Sequence, residues 1–205
     1  MKIGVMGGTF DPIHHGHLIA AEYARTSLDL NKVIFMPSGM HPFKDNKSIT
    51  DSDKRADMIS LAIDSNKFFK LSSIEINRIG TTYTIDTIRE LREEYKGDEI
   101  YFIIGSDIIF EIEKWKSFEE LIDICKFILL YRPGKEEKDI DKKIKELNLS
   151  YDIKFEKVKS PLIEISSTEV RRRIKDKHSI KYLVPEEVED YILKYNLYNE
   201  ENING

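Results

Sequence analysis

The sequence predicts an α/β fold: a single doubly wound, mostly parallel sheet with helices on both faces. Two observations carry this expectation. Short unbroken apolar runs alternate with longer stretches of helical periodicity along the chain, and strands covered on both faces read as continuous apolar runs rather than as alternation. The first run, Ile3-Gly4-Val5-Met6, passes through Gly7-Gly8 into a helical pattern, and successive β and α segments of this kind wind a parallel sheet through right-handed crossovers.

The elements follow in order. Strands are expected at residues 3–6, 33–36, 100–104 and 127–131, all central in the sheet because all are apolar throughout. Helices are expected at 18–28, 53–63, 84–95, 118–124, 140–147 and 186–195, with Ser52 or Asp53 and Pro185 in helix-start positions. In such sheets ligands lie beyond the carboxyl ends of the strands, at the switch in strand order. The turn after Met6 falls there, and so does Gly105-Ser106-Asp107. The stretch Pro37-Ser38-Gly39-Met40-His41-Pro42-Phe43-Lys44 forbids regular structure and ends on a cation; it reads equally as a substrate lid and as a solvated connector. One domain is expected over residues 1–195, and the polar, aperiodic stretch 196–205 is expected to fray.

Composition narrows the class. A chain of 205 residues can bury about 70% of its unfolded surface as one large domain. The net charge is −5, with 32 basic residues interleaved among 37 acidic ones, so no basic face argues for a nucleic-acid polymer and anionic ligands must be met by local positive sites. Cys125 is the single cysteine and lies in an apolar stretch, which suits a buried thiol and a reducing cytoplasm. No signal peptide is expected, and no apolar run approaches the roughly 20 residues of a membrane span.

The opening turn carries the first chemistry. Backbone without side chains at Gly7 and Gly8 lets N–H groups approach an anion closely, at the start of a helix whose dipole favours negative charge. His14 and His17 are three apart there, so both imidazoles fall on one face near the helix start. Two donors in that position can meet a polyphosphate, and an imidazole that turns cationic near neutral pH can stabilise a transferring phosphoryl group. The plain alternatives are an ordinary strand-to-helix turn and surface histidines or half of a zinc site.

A second constellation stands about 150 residues downstream, at Ile165-Ser166-Ser167-Thr168-Glu169-Val170-Arg171. Serine and threonine in sequence make a good helix cap, Glu169 falls in the first turn, and Val170 and Ile174 share a face. Its free N–H groups and hydroxyls can hold phosphate, with Arg171 one turn inside. Alone it reads as a capped surface helix; paired with the opening turn it makes a clamp.

These motifs give the chain a specific resemblance. It resembles the nucleotidyltransferase superfamily marked by H-x-G-H, here His14-His15-Gly16-His17, and by a late I-S-S-T-x-x-R, here Ile165 to Arg171. Within that group it is similar to the bacterial nicotinate-nucleotide adenylyltransferases. The match runs through Gly7 to His17, Arg55 and Met58, Glu75, Arg78-Ile79-Gly80, the run Thr82 to Thr87, Gly105-Ser106-Asp107, Trp115 and Arg132-Pro133-Gly134. One departure is His41-Pro42-Phe43-Lys44, where the family has a loop close to P-x-x-x-P-P-H-K.

The resemblance implies a Rossmann-like, ATP-binding transferase of NAD (pyridine nucleotide) biosynthesis. It would move the adenylyl group of ATP to nicotinate mononucleotide and release pyrophosphate. By the same resemblance His14, His17 and Arg171 are the catalytic group. Gly7, Gly8, Thr9, Phe10, Gly105, Asp107, Ile165, Ser167 and Thr168 bind ATP, with Gly105 and Asp107 at the ribose. Lys44, Tyr83, Thr84 and Trp115 bind the mononucleotide. Trp115 reads from sequence as either a stacking or a packing residue, and Thr84 as either a carboxylate contact or a helix cap. Mg²⁺ is implied on the ATP phosphates with no protein cage of its own, and a homo-oligomer is compatible with the resemblance. The rivals are pantetheine-phosphate adenylyltransferase, which shares the histidine and S-S-T elements, and a non-catalytic nucleotide sensor. Class I aminoacyl-tRNA synthetases share the histidine motif but need a K-M-S-K-S-like segment that this chain lacks.

Overall fold

A computed structural model describes residues 1–39, 49–131, 137–161 and 163–199. Its strands are β1 (Lys2–Gly8), β2 (Lys32–Pro37), β3 (Phe69–Leu71), β4 (Glu99–Gly105), β5 (Lys126–Tyr131) and β6 (Phe155–Lys159). They form one sheet in the order β3-β2-β1-β4-β5-β6, with every neighbouring pair parallel. Winding runs outward in both directions from the β1–β4 pair. The loops leaving those two strands therefore open on one crevice.

Alternation along the strands builds two cores. In β1, β2 and β4 the residues Met6, Val33, Phe35, Tyr101 and Ile103 face one cluster, and Ile3, Val5, Ile34, Met36, Ile100, Phe102 and Ile104 face the other. The first cluster is closed by α1 (His15–Ser27), α2 (Ser52–Ile63), α7 (Ser167–Lys175) and α8 (Glu186–Lys194), through Ala21, Met58, Val170 and Val188. The second is closed by α4 (Thr84–Glu94), α5 (Phe118–Ile124) and α6 (Glu137–Tyr151), through Ile88, Leu121 and Ile140. Helices thus cover both faces, as the apolar runs require.

Differences from the sequence reading have local causes. The glycine pair does not break β1, because Gly7 and Gly8 still pair with Met36 and Pro37; the chain turns one residue later. Strands β3 and β6 were outside the expected set. β3 is three residues long, and β6 carries exposed Glu156, Lys157 and Lys159, the charged dress of a sheet edge that discourages further pairing. A single turn, α3 (Ile74–Asn77), is too short to show periodicity. Helix α2 is capped by Asp51, whose side chain accepts from Asp53 N at 2.9 Å, one residue before the expected start. The stretch expected to fray from Asn196 is docked at its beginning: Leu197 is buried, and the Tyr198 hydroxyl donates to Asp11 Oδ1 at 2.7 Å. Residues 200–205 lie outside the described residues.

Candidate active site

Residues 9–14 join β1 to α1, and the backbone is closely packed where they begin. A Cβ at Gly7 would stand 3.1 Å from Phe102 Cζ, and one at Gly8 would stand 3.1 Å from Phe10 Cζ. Phe10 takes φ 49 and folds its ring back under the strand end, where it is 2% exposed. That left-handed conformation costs about 1–2 kcal/mol for a residue with a Cβ, which burial of the ring offsets. The side chain of Phe10 is thus part of the core, and what it offers a ligand is backbone.

Side chains from distant helices satisfy the carbonyls of this loop. Arg55 on α2 donates to Thr9 O at 2.7 Å, Arg171 on α7 to Asp11 O at 2.6 Å, and Ser167 Oγ to Pro12 O at 2.9 Å. Irregular backbone must find such partners when it leaves water. Arg55 also donates to Ser38 O and Thr50 O at 2.8 and 2.9 Å. Its guanidinium is buried, which lowers its pKa while the Asp11 charge opposes the shift. The sequence matched Arg55 to a family pattern without giving it a role; no local signal reveals that one side chain ties three separate segments.

The histidines meet as the spacing predicts. His14 is the extended residue before α1 (φ −147, ψ 168), and its ring stacks on that of His17 with centroids 3.7 Å apart and planes at 21°. The Phe10 ring meets that of His17 in a T-shaped contact, with centroids 4.9 Å apart. His17 Nδ1 accepts from the His14 backbone N–H at 3.3 Å, which places the ring proton of the neutral form on Nε2. Burial, and then the neighbouring His14, hold the His17 imidazole well below its ordinary pKa. The expectation of a ring that charges near neutral pH is therefore corrected for the free protein, where His17 is a neutral donor. Gly16 lies close under the stack: a Cβ there would stand 3.0 Å from His14 Nδ1 and 3.6 Å from Ile165 O.

The late motif lies against the same loop. Ser166 caps α7 by accepting from Glu169 N at 3.1 Å, and Ile165 packs half-buried on the first core cluster. Thr168 is exposed, and its Oγ1 accepts from Arg171 at 3.4 Å. The Ser167 proton is committed to Pro12, so its hydroxyl works first as a fastener between the motifs. Across the β1–β4 junction Asp107 folds back so closely that a Cβ at Gly105 would stand 2.6 Å from its Oδ1.

The other side of the crevice is assembled from α3, α4 and the end of β2. Tyr83 precedes α4 with Lys116 Nζ 4.2 Å from its ring centroid, and Thr84 is the first helical residue. Trp115 is half-buried and meets Phe102 in a T-shaped contact at 5.8 Å, so packing is part of its role and part of the side chain stays accessible. Lys44 and Arg132-Pro133-Gly134 lie outside the described residues. Behind Thr84 the fully buried Thr87 donates to Glu75 Oε1 at 2.8 Å and accepts from Arg78 Nη1 at 3.1 Å. Burial pushes the Glu75 carboxyl up, opposed by Thr87 and Arg78. A Cβ at Gly39 would run into the Glu75 carbonyl oxygen and stand 2.8 Å from Thr82 Cγ2. This network was matched by pattern only, and no contiguous motif announces it.

Cys125 is buried, and that burial pushes its thiol up to about 12. Among the described residues no group of three His, Cys, Asp or Glu is placed to hold a metal ion, and no helix is long and apolar enough to cross a membrane.

Comparison with known proteins agrees with this geometry. Residues 5–173 match the cytidylyltransferase-like family model. A Thermoanaerobacter protein named "Probable nicotinate-nucleotide adenylyltransferase" is 46% identical over 206 residues, covering 100% of this chain and 98% of its own. A protein of the same name from Moorella thermoacetica is 44% identical, with 96% and 91% covered. Among solved structures, the nicotinic acid mononucleotide adenylyltransferase of Plasmodium falciparum complexed with NaAD superimposes with TM-score 0.78 at 26% identity, over 96% of this chain and 97% of that one. The same protein complexed with APC gives 0.76 at 25% identity, with 96% of each chain covered.

Proposed function

The chain belongs to the nicotinate-nucleotide adenylyltransferase family, and from that premise we propose that it transfers the adenylyl group of ATP to nicotinate mononucleotide, giving nicotinate adenine dinucleotide and pyrophosphate for NAD biosynthesis. One observation carries the reading for this chain: the stacked His14–His17 pair and the Arg171-bearing α7 are fastened to one loop at the β1–β4 switch.

The chemistry asks little covalent work of the protein. The acceptor phosphate is already anionic, so it attacks the α-phosphorus in line as pyrophosphate leaves, without a general base or an enzyme-bound intermediate. Catalysis is orientation and charge stabilisation. His17 offers Nε2–H to the transferring phosphoryl group, and anionic oxygens beside it favour its protonated form. The α7 N-terminus, Thr168 and Arg171 hold the β- and γ-phosphates. The backbone of Gly7, Gly8, Thr9 and Phe10 lines the nucleotide, with Gly105 and Asp107 at the ribose and Ile165 behind. Lys44 takes the acceptor phosphate, Trp115 stacks on the pyridine ring, and the Tyr83–Thr84 helix start meets its carboxylate. A magnesium ion held by the ATP phosphates, with no protein cage of its own, would neutralise part of their charge. The working compartment is the cytoplasm, and the reading is compatible with a homo-oligomer.

The test is pyrophosphate release from ATP. Release is expected only when nicotinate mononucleotide is added. Release with phosphopantetheine instead, or ATP binding without release under either acceptor, overturns the reading.

A further inference from the structure

Beyond α8 the chain makes a contact that the adenylyl-transfer chemistry above does not use. Tyr198 takes φ 67 beside the buried Leu197, a left-handed conformation that a bulky residue holds only when its surroundings impose it. Its hydroxyl donates to Asp11 Oδ1 at 2.7 Å across 187 residues of sequence. Asp11 lies in the middle of the β1–α1 loop and is 4% exposed. Its Oδ2 accepts from Thr50 N at 3.3 Å, and its own carbonyl seats Arg171 at 2.6 Å. A carboxylate this buried needs its lone pairs met, or the backbone that carries it must move toward water. Burial and the adjacent Asp11 raise the Tyr198 hydroxyl far above its ordinary range, so it remains a donor at any working pH.

We infer that Tyr198 is a positioning residue for the ATP side of the reaction: by holding Asp11 it fixes the loop that seats Arg171 and leads into His14 and His17. The inference rests on the adenylyl-transfer reading. It assigns a part to a residue outside every motif, in a stretch whose sequence looks like a tail. The molecule also contains a matched control. Tyr191 donates to Asp57 Oδ2 at the same 2.7 Å, but that bond joins α8 to α2 rather than to the loop.

The experiment compares Tyr198→Phe with Tyr191→Phe. Each removes one hydroxyl–carboxylate bond and keeps the ring, and Tyr198→Phe also removes the hydroxyl's bond with the Thr50 side chain. Loss of a hydrogen bond to a charged group, expressed at the triphosphate, corresponds to about a tenfold rise in the KM for ATP. Tyr198→Phe is expected to show that rise with a smaller fall in kcat, while the mononucleotide KM stays within about twofold. Tyr191→Phe should leave all three within about twofold. Tyr198→Phe kinetics that match those of Tyr191→Phe, or an equal rise in both KM values, overturn the inference. If Tyr198→Phe does not fold, amide exchange on the wild-type chain decides: ATP should slow exchange at 197–199 together with 9–14, and unchanged exchange at 197–199 overturns it. Failure of the wild type to turn over would count against adenylyl transfer, and the exchange measurement, which needs only ATP binding, then decides the Tyr198 tie by itself.

Discussion

On one side of the crevice Ser167 and Arg171 reach back 155 and 160 residues to the carbonyls of Pro12 and Asp11; on the other, the buried Thr87 hydroxyl links Glu75 to Arg78, and Gly39 leaves no room for a Cβ beside the Glu75 carbonyl oxygen. The phosphate side is fastened by side chains bonding to backbone. Its geometry therefore depends on the few residues that donate to it and on Asp11, the loop side chain that accepts from Tyr198 and Thr50. The acceptor side is fastened mainly side chain to side chain around a partly buried carboxylate, with the Gly39 backbone also bonded to it, so each partner's chemistry matters. A site of the first kind suits a ligand common to many enzymes. One of the second kind suits recognition of a particular acceptor.

Substitutions can break this contrast. The largest effect is expected for His17→Ala. It removes a preorganised donor to the reacting phosphoryl group, and the loss should be about 3 kcal/mol in the transition state, or more than a hundredfold in kcat. The fold should persist, since the loop keeps its bonds from Arg55, Ser167 and Arg171. A folded variant with near wild-type kcat would remove His17 from the chemistry. Trp115→Ala should come next, with a rise of about tenfold in the mononucleotide KM from lost stacking while the ATP KM is spared. Equal effects on both substrates would reduce Trp115 to its edge contact with Phe102. Arg171→Ala should act on the opposite substrate, raising the ATP KM by about tenfold with a smaller change in kcat, because one charge-assisted contact is lost. Unchanged values for both would place the guanidinium outside the phosphate site.

Protonation gives the smallest effect. His17 is held well below its ordinary pKa in the folded chain, whereas the unfolded residue titrates near about 6.5. Below that pH the unfolded state binds the proton and the native state resists it, so acidification destabilises the fold by up to about 1.4 kcal/mol per pH unit until the folded-state pKa is reached. Above about 6.5 the contribution of this group vanishes. Chemical denaturation at pH 7.5 and 5.5 should therefore show a larger acid loss for the wild type than for His17→Gln. Equal losses would mean that the ring is not depressed.

What was legible in the sequence follows the same division. The meeting of the two motifs was readable because each is contiguous: Gly7 to His17 and Ile165 to Arg171 each lie in one stretch, and Ser167 and Arg171 bond back to the first. The four central strands were readable because burial on both faces leaves an unbroken apolar run. Arg55 could not be given its task, since its three carbonyl partners belong to different segments. Nor could the Glu75–Thr87–Arg78 network, which forms only after α3 and α4 have packed together. The protonation of His17 depends on stacking and burial, and spacing alone cannot supply either. Asn196 to Asn199 misled for the reverse reason: the stretch is polar by composition, yet Leu197 and Tyr198 are docked.

The acceptor is where the family assignment makes its sharpest demand. Thr84 opens α4, and the unpaired N–H groups of a helix start favour a carboxylate, whereas a carboxamide brings donors of its own against them. A lost charge-assisted bond and one donor–donor mismatch amount to roughly 3 kcal/mol, or about a hundredfold. The decisive measurement is kcat/KM for nicotinate mononucleotide and for nicotinamide mononucleotide on the wild-type protein. A preference for the acid of about a hundredfold is predicted; comparable values, or a preference for the amide, would contradict nicotinate as the acceptor while leaving adenylyl transfer in place.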